Sequence, residues 1–344
     1  MKENIGIGKE RERITNRDDK IYVFDLARGI ASFLLVFWHY YCPFARDNPL
    51  LVSLSGTAIF YFISGFVITM SFERNSLKKW LIKRFFRLYP TILFVLFISL
   101  LIVYLRGEKQ LNGIELNIEN IIKNTTFVFQ FLPFYNKPLT EYLYVKTMWT
   151  ICVDFTFYIL LILTYKICKT PQRRINFIVC LSLFCLISIK ILRTKYQVYG
   201  AMQHTIKCLL PFYFGMINYY YYKHYITKKH CIILTLFIFT PILFSFHSRY
   251  VIGGFVMFYL FTYHKEIGNN KIVKFFANIS YPMFLVHAVF PMLIWTNTNM
   301  YLEGLNKFYF FILYPAMISL CYFIYRFIEK PFNDFGRKIT AKMK

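Results

Sequence analysis

The chain has 344 residues, 57% of them hydrophobic and 21% aromatic, with a mean hydropathy of +0.43, which is too apolar for a soluble domain of this length. Forty-one Lys and Arg against 17 Asp and Glu give a net charge of +24, but the basic residues cluster between apolar runs, as retention of positive loops in the cytoplasm requires. No groove-reading motif accompanies that charge, so a nucleic-acid partner is excluded, and the eight cysteines, without a CxxC pair, read as small buried hydrophobes and not as disulfides or a metal site.

Residues 1–20 form a polar tail of mixed charge, and no small-residue cleavage site follows the first apolar run, so 22–41 reads as a retained first span. Nine further apolar stretches lie at about 51–72, 88–105, 144–165, 175–192, 205–222, 231–247, 249–263, 276–296 and 308–328. The expected fold is therefore all-α: a polytopic bundle of about ten spans, forming one membrane domain over residues 21–335 and closed by a basic tail, 336–344. With the first segment placed inside, most of the basic residues fall on the cytoplasmic side and both termini are cytoplasmic. The connection over 106–143 is the longest on the other side, and its apolar FVFQFLPF run is too short to span; a lid or an interfacial segment fits it. Gly253–Gly254 reads as a site of close helix packing.

The first span carries both Arg28 and His39. Eleven helical steps are about three turns plus 20°, so the two positions share a face and lie about 16 Å apart along the axis. A snorkelling anchor and a packing histidine are the plain readings of each alone. The 73–90 segment ERNSLKKWLIKRFFRLYP, read as a loop leading into the third span, adds six basic residues. They fit a topology signal, but Arg84 and Arg87, three apart at what reads as a helix start, also form a pair that binds phosphate through charge-assisted forks. Acidic residues in or beside the spans are few. Asp154 is expected to face the interior or a wet cavity, because a carboxylate in lipid is costly. Glu329 is placed for an ion pair with Arg326, three residues away. His287, in the ninth span, is a further candidate.

These pieces resemble acyltransferase family 3, the polytopic enzymes that O-acylate bacterial surface carbohydrates. LARGIASFLLVFWH is similar to that family's R-x10-H first helix, FYFISGFVI with KRFFRLYP to its second span and basic segment, MWTICVDFTFY to its W-x-L-x-x-E-x-x-F-Y segment, and ISYPMFLVH and FIEKPF to its closing signatures. The resemblance covers about 24–335. Asp154 stands where the family has glutamate, and Lys83–Arg84 where an arginine pair is common.

The resemblance implies an acyl-CoA co-substrate, acetyl-CoA first among them, and no metal cofactor. It implies a carbohydrate acceptor, either a surface polysaccharide such as an exopolysaccharide or lipopolysaccharide or a lipid-linked sugar. It places the protein in the bacterial inner membrane among lipid, with a homodimer as a candidate assembly. Arg28, Arg84 and Arg87 would bind the donor, His39 would act as general base or as transient acyl carrier with Asp154 and Glu329 as catalytic partners, and His287 would contact the acceptor. Two rivals share the hydropathy. A transporter or flippase of a glycan or lipid-linked precursor would use the charges as a path, and a non-catalytic polysaccharide-export partner would keep the fold without the chemistry.

Overall fold

The computed structural model describes residues 21–41, 57–126, 141–193, 196–245, 248–287, 289–290 and 307–343. Helices dominate them: α1 (Tyr22–Tyr41), α2 (Thr57–Glu73), α3 (Leu77–Leu105), the short α4 (Ile118–Thr126), α5 (Trp149–Ile167), α6 (Pro171–Arg193), α7 (Tyr196–Tyr222), α8 (Lys228–Ser245), α9 (Ser248–Tyr263), α10 (Lys271–Val286), α11 (Lys307–Ile324) and α12 (Lys330–Lys342). A five-residue π turn, Tyr325–Glu329, joins the last two. Among the described residues each predicted apolar stretch overlaps one of the long helices, and the all-α expectation holds. Among the described residues, three segments qualify as membrane spans by length and composition alone: Leu77–Leu105, Lys146–Ile167 and Pro171–Ile191.

The one strand pairing among the described residues is a two-stranded antiparallel hairpin, β1 (Gln110–Leu111) and β2 (Ile114–Glu115), with Gln110 opposite Glu115. Its turn uses Asn112 and Gly113 at positive φ, 54° and 79°, the left-handed geometry that an Asn-Gly pair supplies in a tight hairpin. Hairpin and α4 occupy the 106–143 connection and are tied to the segment before α5. Asn112 donates to the Tyr144 carbonyl at 2.6 Å, Tyr144 N–H donates to Asn124 at 2.8 Å, and the Tyr144 hydroxyl donates to the Glu115 carbonyl at 2.6 Å. The FVFQFLPF stretch lies outside the described residues.

The third helix differs from expectation. It begins at Leu77 and not at 88, so the basic segment read as a loop is its first three turns. Ser76 caps the start, accepting from Lys79 N–H at 3.4 Å, and nothing between 77 and 87 breaks a helix; the interrupted hydropathy disguised the continuity. Arg84 and Arg87 consequently sit well inside the helix, and the field of a helix N-terminus does not act on them.

Two helices at the centre touch backbone to backbone. A Cβ on Gly65 of α2 would lie 2.1 Å from the Phe212 carbonyl oxygen of α7, and one on Gly215 of α7 would lie 2.1 Å from the Phe62 carbonyl oxygen. Only glycine at both positions allows that approach. Around it Phe62, Phe66, Phe157, Phe212 and Phe214 are fully buried, and Phe157 stacks on Phe212 at 4.3 Å. This aromatic wedge fixes α7 against α2 and α5, and the latter two wall the cavity described below.

Candidate active site

A cavity of about 120 Å³ lies between α1, α2, α3, α5 and α10. Arg28 enters it from α1, Arg84 and Arg87 from α3, Asp154 and Tyr158 from α5, and Tyr281 from α10. The first four of these are among the sequence candidates. Arg84 and Arg87 are three apart on one helix and present to one side, and Asp154 faces the interior as the cost of a carboxylate in lipid requires.

Each charge has a different setting. Arg28 pairs with Asp25, one turn back on α1 and 10% exposed, while its Nε is buried without a hydrogen-bond partner. Arg84 lies over the Trp80 ring, 5.9 Å from its centroid, and within electrostatic reach of the Tyr158 hydroxyl; Trp80 and Tyr158 in turn meet edge to face at 5.2 Å. Arg87 lies in the field of both Asp154 and Glu329. Tyr281 sits within electrostatic reach of the same two carboxylates and donates weakly to the Leu88 carbonyl, at 3.4 Å.

Glu329 does not make the expected ion pair with Arg326. It closes the π turn, is 8% exposed, and feels Arg87 and Arg28, whereas Arg326 is exposed. A π turn inserts a residue into the helical register, which rotates the side chains beyond it; here it brings Glu329 to the interior. Its Oε2 is buried with no hydrogen-bond partner.

Three guanidiniums and three carboxylates thus gather in one place, and formal charge balances. Hydrogen bonding does not. Each guanidinium offers five N–H donors, and among the described residues neither Arg84 nor Arg87 closes a salt bridge with Asp154 or Glu329. What the cavity holds in surplus is oriented donors, the feature that suits a phosphate, a carboxylate or a developing oxyanion.

Of the remaining sequence candidates, His39 belongs to the unbroken helix α1, so positions 28 and 39 keep the expected backbone register; its side chain lies outside the described residues. His287 is at the C-terminal end of α10, 3% exposed, its Nδ1 3.2 Å from the Met283 carbonyl. It does not line the cavity but lies just beyond its edge, its ring centroid 5.9 Å from that of the lining residue Phe284. Among the described residues no group of His, Cys, Asp and Glu is arranged to hold a metal.

The sequence profile of acyltransferase family 3, described as an acyltransferase domain, matches residues 21–326. The chain belongs to this acyltransferase family. No curated protein and no solved structure matches it. The matched span contains every residue that lines the cavity and stops just short of Glu329 and α12. Membership and the long apolar helices make this a membrane acyltransferase in general terms.

Sequence reasoning passes over Tyr158 and Tyr281, although both fall in stretches that carry the family resemblance. A tyrosine in an aromatic-rich helix reads as packing; its hydroxyl gains meaning only once Arg84 or the carboxylates are seen beside it.

Proposed function

We propose that this acyltransferase moves an acyl group, acetyl in the first instance, from cytoplasmic acyl-CoA to a hydroxyl of a surface polysaccharide or lipid-linked glycan. The observation that carries the reading is the convergence of Arg28, Arg84 and Arg87 on one cavity with donors to spare. Thioester chemistry needs an anchor for an anionic donor and a stabiliser for the oxyanion on the acyl carbonyl. Arg84, held against Trp80 and Tyr158, supplies the anchor. Arg87, between Asp154 and Glu329, supplies positive charge where the carbonyl oxygen becomes negative.

In the transfer, the acceptor oxygen attacks the thioester carbonyl, its proton passes to a base, the C–S bond breaks as the C–O bond forms, and CoA leaves as a thiolate that takes up a proton. His39 is the base in this reading, or the carrier of the acyl group between two such steps. Asp154 and Glu329 hold the arginines in line and balance their charge. His287, outside the cavity lining, would meet the acceptor from the far end of α10.

The test is transfer of label from [¹⁴C]acetyl-CoA by the purified protein in lipid nanodiscs, with membrane glycan extracts as acceptor. Label in a base-labile ester on the glycan, with release of free CoA, is the expected result. Neither CoA release nor label transfer, together with counterflow of a glycan precursor in liposomes, would replace the reading with a transporter.

A further inference from the structure

We infer that the first turns of α3 and the whole of α12 form an interfacial platform that binds anionic phospholipid headgroups. The inference is independent of the acyl-transfer reading and starts from length. At about 1.5 Å per residue, the 29 residues of α3 extend about 43 Å, against a hydrocarbon core of about 30 Å. The apolar part begins near Leu88, so the turns over 77–87 lie outside the core.

Those turns nonetheless expose apolar side chains. Leu77, Leu81 and Phe85 are 43%, 46% and 49% exposed, and their four-residue spacing makes them one stripe. Lys78, Lys79 and Lys83 alternate with them, and no acidic residue occurs between 77 and 87.

α12 adds a second such surface beside it. Gly336 and Thr340 are its buried face, seated on α3 so closely that a Cβ on Gly336 would come within 2.7 Å of Phe86 Cβ. Phe335 meets Phe86 edge to face at 5.3 Å and still leaves 52% of itself exposed, and Phe332 is 43% exposed. The polar face carries Lys330, Arg337, Lys338 and Lys342 against a single acid, Asp334, which lies 3.8 Å from Arg337.

Exposed phenylalanines flanked by lysines on a helix of strong amphipathicity fit the headgroup layer, where rings reach the acyl boundary and ammonium groups meet phosphate. The stripe is continuous with the outward face of α11 and the π turn through Phe323 and Phe327, 49% and 59% exposed and with ring centroids 4.7 Å apart. The same lipid that covers the bundle therefore reaches α12. With each basic residue near an anionic surface contributing about 1 kcal/mol, or about five-fold in local lipid concentration, the platform selects acidic lipid over zwitterionic.

The experiment places a reporter on α12 of the full-length protein, Phe335→Trp, and reads its emission as the difference from the unsubstituted chain. Vesicles contain equal phosphatidylcholine and phosphatidylglycerol, with bromine on the acyl chains of one lipid or the other. Quenching several-fold stronger from brominated phosphatidylglycerol, levelled by Lys338→Glu with Lys342→Glu, is the expected result. Equal quenching by the two lipids overturns the selectivity. Quenching by aqueous iodide alone overturns the lipid contact, and protection from bromine and iodide alike shows that α12 is covered by protein.

Discussion

Two buried clusters of arginine, carboxylate and tyrosine occur in this bundle, and they are finished differently. In the first, Glu73 of α2 accepts from Tyr165 at 2.7 Å and Arg174 at 3.0 Å on one oxygen, and from Tyr219 at 2.7 Å on the other. Arg174 spends its other N–H groups on the Cys168 and Lys169 carbonyls, at 2.9 and 3.1 Å, and lies 3.9 Å from the Tyr165 ring centroid. Every strong group has a partner, and the ends of α2, α5, α6 and α7 are tied by it. In the second, Arg28, Arg84, Arg87 and Asp154 line a cavity, Glu329 lies in the field of Arg87 and Arg28, and Arg28 Nε and Glu329 Oε2 are buried without partners. An unsatisfied buried polar group costs about 1–3 kcal/mol, so the second cluster is less stable as it stands and becomes favourable when something fills it. The first cluster is closed on itself; the second is the one proposed here as the donor site.

The comparison breaks most sharply if chemistry persists without its base. His39→Gln should lower acyl transfer by about 10²–10⁴-fold while leaving the protein folded in the membrane, because glutamine keeps polarity and size but takes no proton at neutral pH. Single-turnover transfer from labelled acetyl-CoA reads the loss. A structural histidine at this position would tolerate glutamine.

Removing the hub of the other cluster should show the opposite pattern. Glu73→Ala strands the Arg174 guanidinium and two phenols, which at 15% side-chain exposure for both ionic partners should cost about 3 kcal/mol of stability. Thermal unfolding followed by tryptophan emission should show a clear fall in Tm, with transfer per folded molecule near normal. A variant of normal stability would deny the cluster its role as a tie.

A finer test separates tyrosines that look alike in sequence. Tyr158→Phe keeps the ring against Trp80 but removes the hydroxyl that lies within electrostatic reach of Arg84. The expected effect is a rise in the donor KM by a few-fold, in line with about 0.5–1.5 kcal/mol for one hydrogen bond, with kcat little changed. Tyr220→Phe in the Glu73 cluster, whose hydroxyl donates to Tyr165 at 3.2 Å, should leave KM alone. Equal KM effects in the two variants would erase the distinction between clusters.

Hydropathy made the long helices legible, because the length and spacing of apolar runs record burial directly. It hid the start of α3, where lysines and arginines interrupt the run although Ser76 and an absence of breakers allow a helix. Arg28, Arg84, Arg87 and Asp154, which line one cavity, were legible as candidates because ionisable residues in apolar helices need partners. The inward turn of Glu329 was not, since it depends on a π turn with no recognised signal in YRFIE. Glu73 went unweighed because it stands at a helix end, where a carboxylate reads as solvated; its partners come from three other helices. The close backbone approach of Gly65 and Gly215 is not legible in sequence, because they are single residues on different helices with no glycine pair to mark them.

Arg87 is the charge that acts on both Asp154 and Glu329, so the most direct measurement is acetyl-CoA binding to purified wild-type, Arg87→Ala and Glu73→Gln proteins, followed as the ligand-induced rise in Tm. The wild type and Glu73→Gln, although they start from different Tm values, should show the same rise. Arg87→Ala should lose most of it, since forfeiting a charge-assisted bond weakens binding by about 1.5–3 kcal/mol. An undiminished rise in folded Arg87→Ala, or its loss in Glu73→Gln instead, would contradict the assignment of the unsatisfied cluster as the donor site.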